Sequence, residues 1–507
     1  MRFGIPAFLP YALTALTVAT LAACGGGDDA PAPVPEETRA QDARSSFVVV
    51  PFSNTTAYAD YEAAANGAAS FKALTGTTST GGVLPETDRW TGTNAGAGYR
   101  IEVPKNWNGK LVMYAHGFAG NGDNLTVTTP AAIRRYLIEN GYAWAASSYT
   151  KNYYDVRAGV EDTNALANAF ASIAASKGRT LAAPTKTYIT GHSMGGHIAA
   201  AAVEVEAIVT ANNKVGYAGA VPMCGVTGDT ALFDTFGAFQ MAAQAVAGVP
   251  NSPIASWSQI AANVNAQLWT TAPGAGSPIT PTAVKGEQYV GIVKNLTGGE
   301  RPLFRLALQR GGSFPSAYGT FGGDGTITGI LNKPVIDTTK VTYTIDGDAT
   351  TSAAINASAQ DLVADPQANR LRTDGLRWVP KVNGEFRVPV VAIHTIGDLF
   401  VPFNMIQVYR QRTEAQGNGT RLVTRAIRGI SHCDFSVAEQ VEAMDAMFKW
   451  EAGGAKPAGD DVLTAATVAA PTYGCTFTRP AVSGVDSGST VALRGLIAAS
   501  GGSCPAP

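Results

Sequence analysis

Between about residues 98 and 224 the sequence alternates short apolar runs with longer amphipathic ones, and the same alternation returns from 386 to 453. Strands joined through helices in this way form a mostly parallel sheet that must be covered on both faces. The strands expected are YRIEVP (99–104) and KLVMYAH (110–116), read as a hairpin across KNWNG, then YAWAASSY (142–149), KTYIT (186–190), YAGAVP (217–222), PVVAIHT (389–395) and RLVTRAI (421–427). Helices are expected over 130–140, with Thr129 as cap, Pro130 in the first turn and Gly141 as stop, over 156–176, through HIAAAAVEVEAIV (197–209), and near 403–413. A last helix starts at Ser436, whose spacing to Glu439 is that of a capping box, and stops near Gly453.

The segment 225–385 lacks this rhythm, although it holds apolar helical stretches such as FGAFQMAAQAVAG and PLFRLALQRGG. It reads as an insertion between two strands of the sheet. Ligands of such sheets bind at the carboxyl ends of the strands, so an insertion that starts there covers the site. The organisation expected is a leader (1–24), a flexible tether (25–45), a first core part (46–224), a cap (225–385), a second core part (386–455) and a C-terminal tail (456–507).

The 507 residues are 45% hydrophobic, enough for a large core. Charged residues are only 15% and the net charge is −2. No basic face is implied, and nucleic acid is not an expected partner. The amino terminus, MRFGIPAFLPYALTALTVATLAAC, carries one early cation, Arg2, then an apolar stretch, and ends in small residues. That is the pattern of a secretory signal, and Pro6 and Pro10 disfavour a retained spanning helix. LAAC resembles a bacterial lipoprotein signal, which implies lipidation of Cys24, a membrane anchor, and a place in the cell envelope. The absence of an acidic residue at Gly25 points, through the same resemblance, to the outer membrane. Four cysteines then remain, Cys224, Cys433, Cys475 and Cys504, which in an oxidising compartment suggests two disulfides with three possible connectivities.

The chemistry centres on GHSMG (191–195). A G-x-S-x-G match means little alone, but here a strand precedes it and a helix follows, so Ser193 is raised on a sharp turn. A serine hydroxyl needs a base within hydrogen-bond reach, and the base needs an orienting acid. Of the five histidines, His192 and His197 flank the motif, His116 sits in HGF, and His394 lies inside an apolar strand as a core residue. His432, in the loop GISHCDF between the last strand and the capped final helix, is the expected base. The expected acid is Asp398, in TIGDLFVP at the end of the preceding strand, with Asp434 as its competitor. The oxyanion donors expected are the backbone N–H groups of Met194 and Phe118. No metal is expected: His192 and His197, five apart, do not share a helix face.

The order HGF, GHSMGGH, TIGDLFVP, SHC resembles the α/β-hydrolase superfamily in a secreted bacterial esterase or lipase form, over about 98–224 and 386–453. The resemblance implies a mostly parallel central sheet with helices on both faces and a large cap inserted after the sixth strand. It implies a serine hydrolase with an acyl-enzyme intermediate, Ser193 as nucleophile, Asp398 as acid, His432 as base, and no cofactor. The cysteine after His432 also resembles the tannase and feruloyl-esterase branch, in which it is bridged to the residue before the nucleophile; here that residue is His192. Cys224, at the end of the sixth strand, is the alternative partner, giving Cys224–Cys433 and Cys475–Cys504. The expected substrate is a small or oligomeric carboxylic ester. The alternatives are a serine peptidase on the same fold and a non-catalytic surface-binding lipoprotein.

Overall fold

The computed structural model describes residues 71–505 apart from 123–124, 250–251, 254–255 and 321–325. The leader, Cys24 and the tether lie outside the described residues. Eight strands form one sheet: β1 (Thr87–Asn94), β2 (Ala97–Pro104), β3 (Lys110–Ala115), β4 (Ala143–Ser147), β5 (Lys186–His192), β6 (Tyr217–Met223), β9 (Val390–Thr395) and β10 (Leu422–Ile427). The remaining two, β7 (Trp269–Thr271) and β8 (Thr280–Pro281), make a separate small ribbon in the insertion. The order in the large sheet is β1-β2-β4-β3-β5-β6-β9-β10, antiparallel at β1–β2 and β2–β4 and parallel elsewhere.

The expected hairpin between β2 and β3 is not formed. β2 turns back from β1, and β4 lies between β2 and β3. A buried charge explains the pairing. Glu102 of β2, fully buried, accepts from Trp144 Nε1 of β4 at 2.8 Å and from Arg134 Nε and Nη2 at 2.6 and 2.9 Å. A carboxylate without such partners inside a core is costly, so the register Glu102↔Trp144 is the one that satisfies it. β1 itself escaped the sequence reading because TDRWTGTN has little apolar alternation.

Successive side chains of the central strands face opposite layers, as strand geometry requires. Leu111, Met113 and Ala115 of β3 join one core with Ile198, Leu166 and Tyr409, whereas Val112 and Tyr114 join another with Ile133, Leu137 and Met444. The first layer is built by the helices Val156–Ser176, Met194–Ala201 and Asn404–Ala415, the second by Ala131–Glu139 and Val437–Glu451. The Ser436–Glu439 capping box is present in both directions. Thr129 does not cap its helix; Pro130 holds that position without a side-chain bond. The single helix expected over 197–209 is broken into Met194–Ala201 and Val205–Thr210. Glu204, extended at the break, bridges to Phe386, and its buried carboxylate accepts the Gly384 and Glu385 N–H groups at 2.9 and 2.7 Å.

Between β6 and β9 the chain forms the helices Ala231–Ala247, Trp257–Leu268, Lys285–Leu296 and Phe304–Arg310, with their own apolar core. That core includes Leu399, Val401 and Ile430, so it is continuous with the loops at the carboxyl ends of β9 and β10. After 455 the chain covers the exposed edge of β10: Asp460 donates its N–H to Thr424 O (2.7 Å) and accepts from Ala426 N–H (2.8 Å). An unpaired edge invites association with other chains, and this segment blunts it. Among the described residues no helix is long and apolar enough to cross a membrane.

Candidate active site

Ser193 sits between β5 and the helix Met194–Ala201 at φ 59°, ψ −122°, a conformation that side chains other than glycine seldom adopt. The turn is held by close backbone approach. A Cβ on Gly195 would run into the Ala115 carbonyl, and one on Gly196 would lie 2.6 Å from Gly225 Cα. The Ser193 N–H reaches Met223 O at 3.1 Å, which ties the turn to the end of β6. The hydroxyl is thereby presented at the carboxyl edge of the sheet, over the N-terminus of a helix.

Two loops converge on it. After β9, Asp398 is fully buried, and its Oδ1 accepts the N–H groups of Phe400 (2.9 Å) and Val401 (3.0 Å). Its other oxygen, Oδ2, lies 2.6 Å from His432 Nδ1. After β10, His432 turns its Nε2 to Ser193 Oγ at 2.8 Å. A carboxylate only accepts, so Nδ1 carries the proton and Nε2 is left free to take one from the hydroxyl. The three side chains singled out in the sequence thus form one hydrogen-bonded line. Asp434 does not touch the imidazole. Its Oδ2 faces the Ile430 N–H at 3.3 Å, and burial raises its pKa above the usual carboxylate range.

The other histidines are accounted for by partners. His394 is buried with Nε2 on Val401 O at 2.8 Å. His197 spans Tyr154 OH (2.9 Å) and Pro380 O (2.7 Å). His192 spans Tyr114 OH (3.1 Å) and Gln440 Oε1 (2.9 Å), and burial lowers its pKa to about 4. His116 stacks on Tyr149 with ring centroids 4.1 Å apart and contacts Gly117 O.

Met194 is the first residue of its helix, and Gly117, just before Phe118, packs against Ser193, where a Cβ would come within 3.3 Å of the serine Cβ. Among the described residues neither the Met194 nor the Phe118 N–H has a protein acceptor. Both disulfides named above are formed, Cys224–Cys433 and Cys475–Cys504. The first joins the residue after β6 to the residue after His432, and Cys433 Sγ lies 3.5 Å from the imidazole Nε2. Sequence reading missed Phe400, whose ring meets His432 edge-on at 5.5 Å and stacks on Phe236 of the insertion at 5.8 Å. Its place in DLFVP, two residues after the acid, was the available signal.

A mostly parallel eight-stranded sheet with β2 reversed and a serine on a strained turn between β5 and the next helix defines the α/β-hydrolase fold. No family model matches the sequence. A stretch of 68 residues, 13% of this chain and 15% of the other, is 31% identical to o-phthalyl amidase from Xanthobacter agilis, so the match spans a small part of that protein's length. Among solved structures the chain is similar to feruloyl esterase B from Aspergillus oryzae, with a TM-score of 0.36 and 14% identity, covering 74% of this chain and 83% of that one. It is also similar to the acylaminoacyl peptidase of Pyrococcus horikoshii, with a TM-score of 0.36 and 8% identity over 75% of this chain and 43% of that one. The fold is assigned from the strand order and the turn at Ser193.

Proposed function

We propose that the protein is a serine hydrolase that cleaves carboxylic esters through an acyl-enzyme. The observation that carries this reading is the line Ser193 Oγ–His432 Nε2–His432 Nδ1–Asp398 Oδ2, at 2.8 and 2.6 Å, on a strained turn at the carboxyl edge of the sheet. Ser193 Oγ attacks the acyl carbonyl while His432 Nε2 takes its proton. Asp398 holds the imidazole in the tautomer this requires and stabilises the imidazolium that forms. The developing oxyanion is received by the N–H groups of Met194 and Phe118. His432 then returns the proton to the leaving alcohol, and water repeats the sequence on the acyl-enzyme. No step calls for a cofactor.

The insertion 225–385 acts in this reading as the cap that shapes the acyl and alcohol sites, with Phe236 and Phe400 beside the imidazole. The leader, with Cys24 as lipid attachment, and the two disulfides support an exported protein held at the bacterial envelope. An amide substrate is the second reading, supported by the short stretch similar to an amidase. The same groups serve both, so the leaving group decides. Initial rates on p-nitrophenyl esters from acetate to palmitate, beside aminoacyl p-nitroanilides, test this. Turnover confined to the anilides would replace the ester reading, and turnover of neither by folded protein would leave a binding role.

A further inference from the structure

Residues 297–313 of the insertion are packed against both loops that carry the acid and the base. Arg301 is 2% exposed. Its Nε donates to Ile396 O at 2.6 Å, its Nη1 to Gly299 O at 2.8 Å, and its Nη2 to Thr297 Oγ1 at 3.0 Å. The guanidinium lies 5.1 Å from the Phe304 ring centroid. Ile396 and Gly397 lead directly into Asp398, and their N–H groups reach Ile427 O (2.9 Å) and Gly429 O (3.0 Å), on the way to His432. Arg301 therefore grips the short stretch that joins the acid loop to the base loop. Nearby, Ser313 Oγ accepts the Leu399 N–H at 3.2 Å, and Gly311 lies against the Ile430 carbonyl with no room for a side chain.

A buried guanidinium is costly unless its charge is used. Here each of the three guanidinium nitrogens donates to an oxygen, on Ile396, Gly299 and Thr297. We propose that Arg301 is a positioning residue for the acid–base pair: it fixes the turn that presents Asp398 and, through the Ile396 and Gly397 pairing, its register with the loop that carries His432. The insertion is then part of the catalytic apparatus as well as its cover.

This inference rests on the serine-hydrolase reading, and the test separates the two. kcat and KM are measured on p-nitrophenyl acetate for the full chain, Arg301→Gln, Arg301→Lys and Ser193→Ala, with rates normalised to sites titrated by a phosphonate. Arg301→Gln leaves a shorter side chain that cannot span Ile396, Gly299 and Thr297; its kcat should fall by about tenfold or more while KM changes little. Arg301→Lys keeps a long donor for Ile396 O and should recover part of that loss, with kcat still severalfold below wild type and KM little changed. A kcat as in wild type in both variants, or a loss carried by KM alone, overturns the inference. Should Arg301→Gln fail to fold, Arg301→Lys decides, and an unaltered kcat there overturns it. If the wild type turns over no ester, or Ser193→Ala retains the rate, the underlying reading fails instead.

Discussion

Ser193 occupies a left-handed backbone conformation at φ 59°, and the space around it is closed by main chain rather than by adaptable side chains. Gly195→Ala is therefore expected to displace the turn and to cost about 1–3 kcal/mol in urea unfolding, with a disproportionate loss of rate. Asp398 accepts three hydrogen bonds, one of them from the imidazole. In Asp398→Asn the amide nitrogen turned toward His432 would favour the wrong tautomer, and kcat on an ester should fall by about 10³–10⁴ with the fold retained. Loss of less than tenfold would show that Asp398 does not orient the base. The members of this hydrogen-bonded line were legible in the sequence because each leaves a local mark: glycines around the serine, a histidine before a capped helix, an aspartate at a strand end. Arg301 left none, since its role depends on a carbonyl 95 positions away.

Two elements outside the sheet bear on the site. The loop that carries His432 is tied by Cys433 to Cys224, across a sequence separation of 209, and both cysteines have positive φ. Replacing both by alanine is expected to lower stability by about 3–5 kcal/mol and to reduce kcat more than it changes KM, because the imidazole loses its anchor. An unchanged thermal midpoint and rate after reduction would remove that role from the bridge. The second element is the insertion helix Ala231–Ala247. There burial, with Asp337 and Asp229 nearby, raises the pKa of Asp234 to about 7. The folded state then holds a proton that the unfolded chain gives up near pH 4, so stability should fall as pH rises toward 7. Asp234→Asn keeps the acceptor for the Asp337 N–H (2.8 Å in the wild type) and should flatten that part of the profile. Thermal midpoints from pH 4.5 to 8 measure this, and identical slopes for both proteins would contradict it.

Across the whole molecule, the order of strands and helices was readable because buried parallel strands are apolar throughout, as LVMYA and VVAI show. What was not readable depended on contacts distant in sequence. The pairing of β2 with β4 turns on Glu102 meeting Trp144 and Arg134; the helix break at Glu204 turns on the chain near 385; the cover on β10 turns on Asp460. The same distance in sequence hides how the insertion braces the loops it overlies. In this assembly Ser193 should be an activated nucleophile, which covalent labelling can measure. Folded protein is treated with a fluorophosphonate, and its peptides are weighed, alongside His432→Ala. One adduct is expected, on the peptide containing Ser193, formed at least about 100-fold more slowly in the variant. An adduct at another residue, or none at all on folded protein, would contradict it.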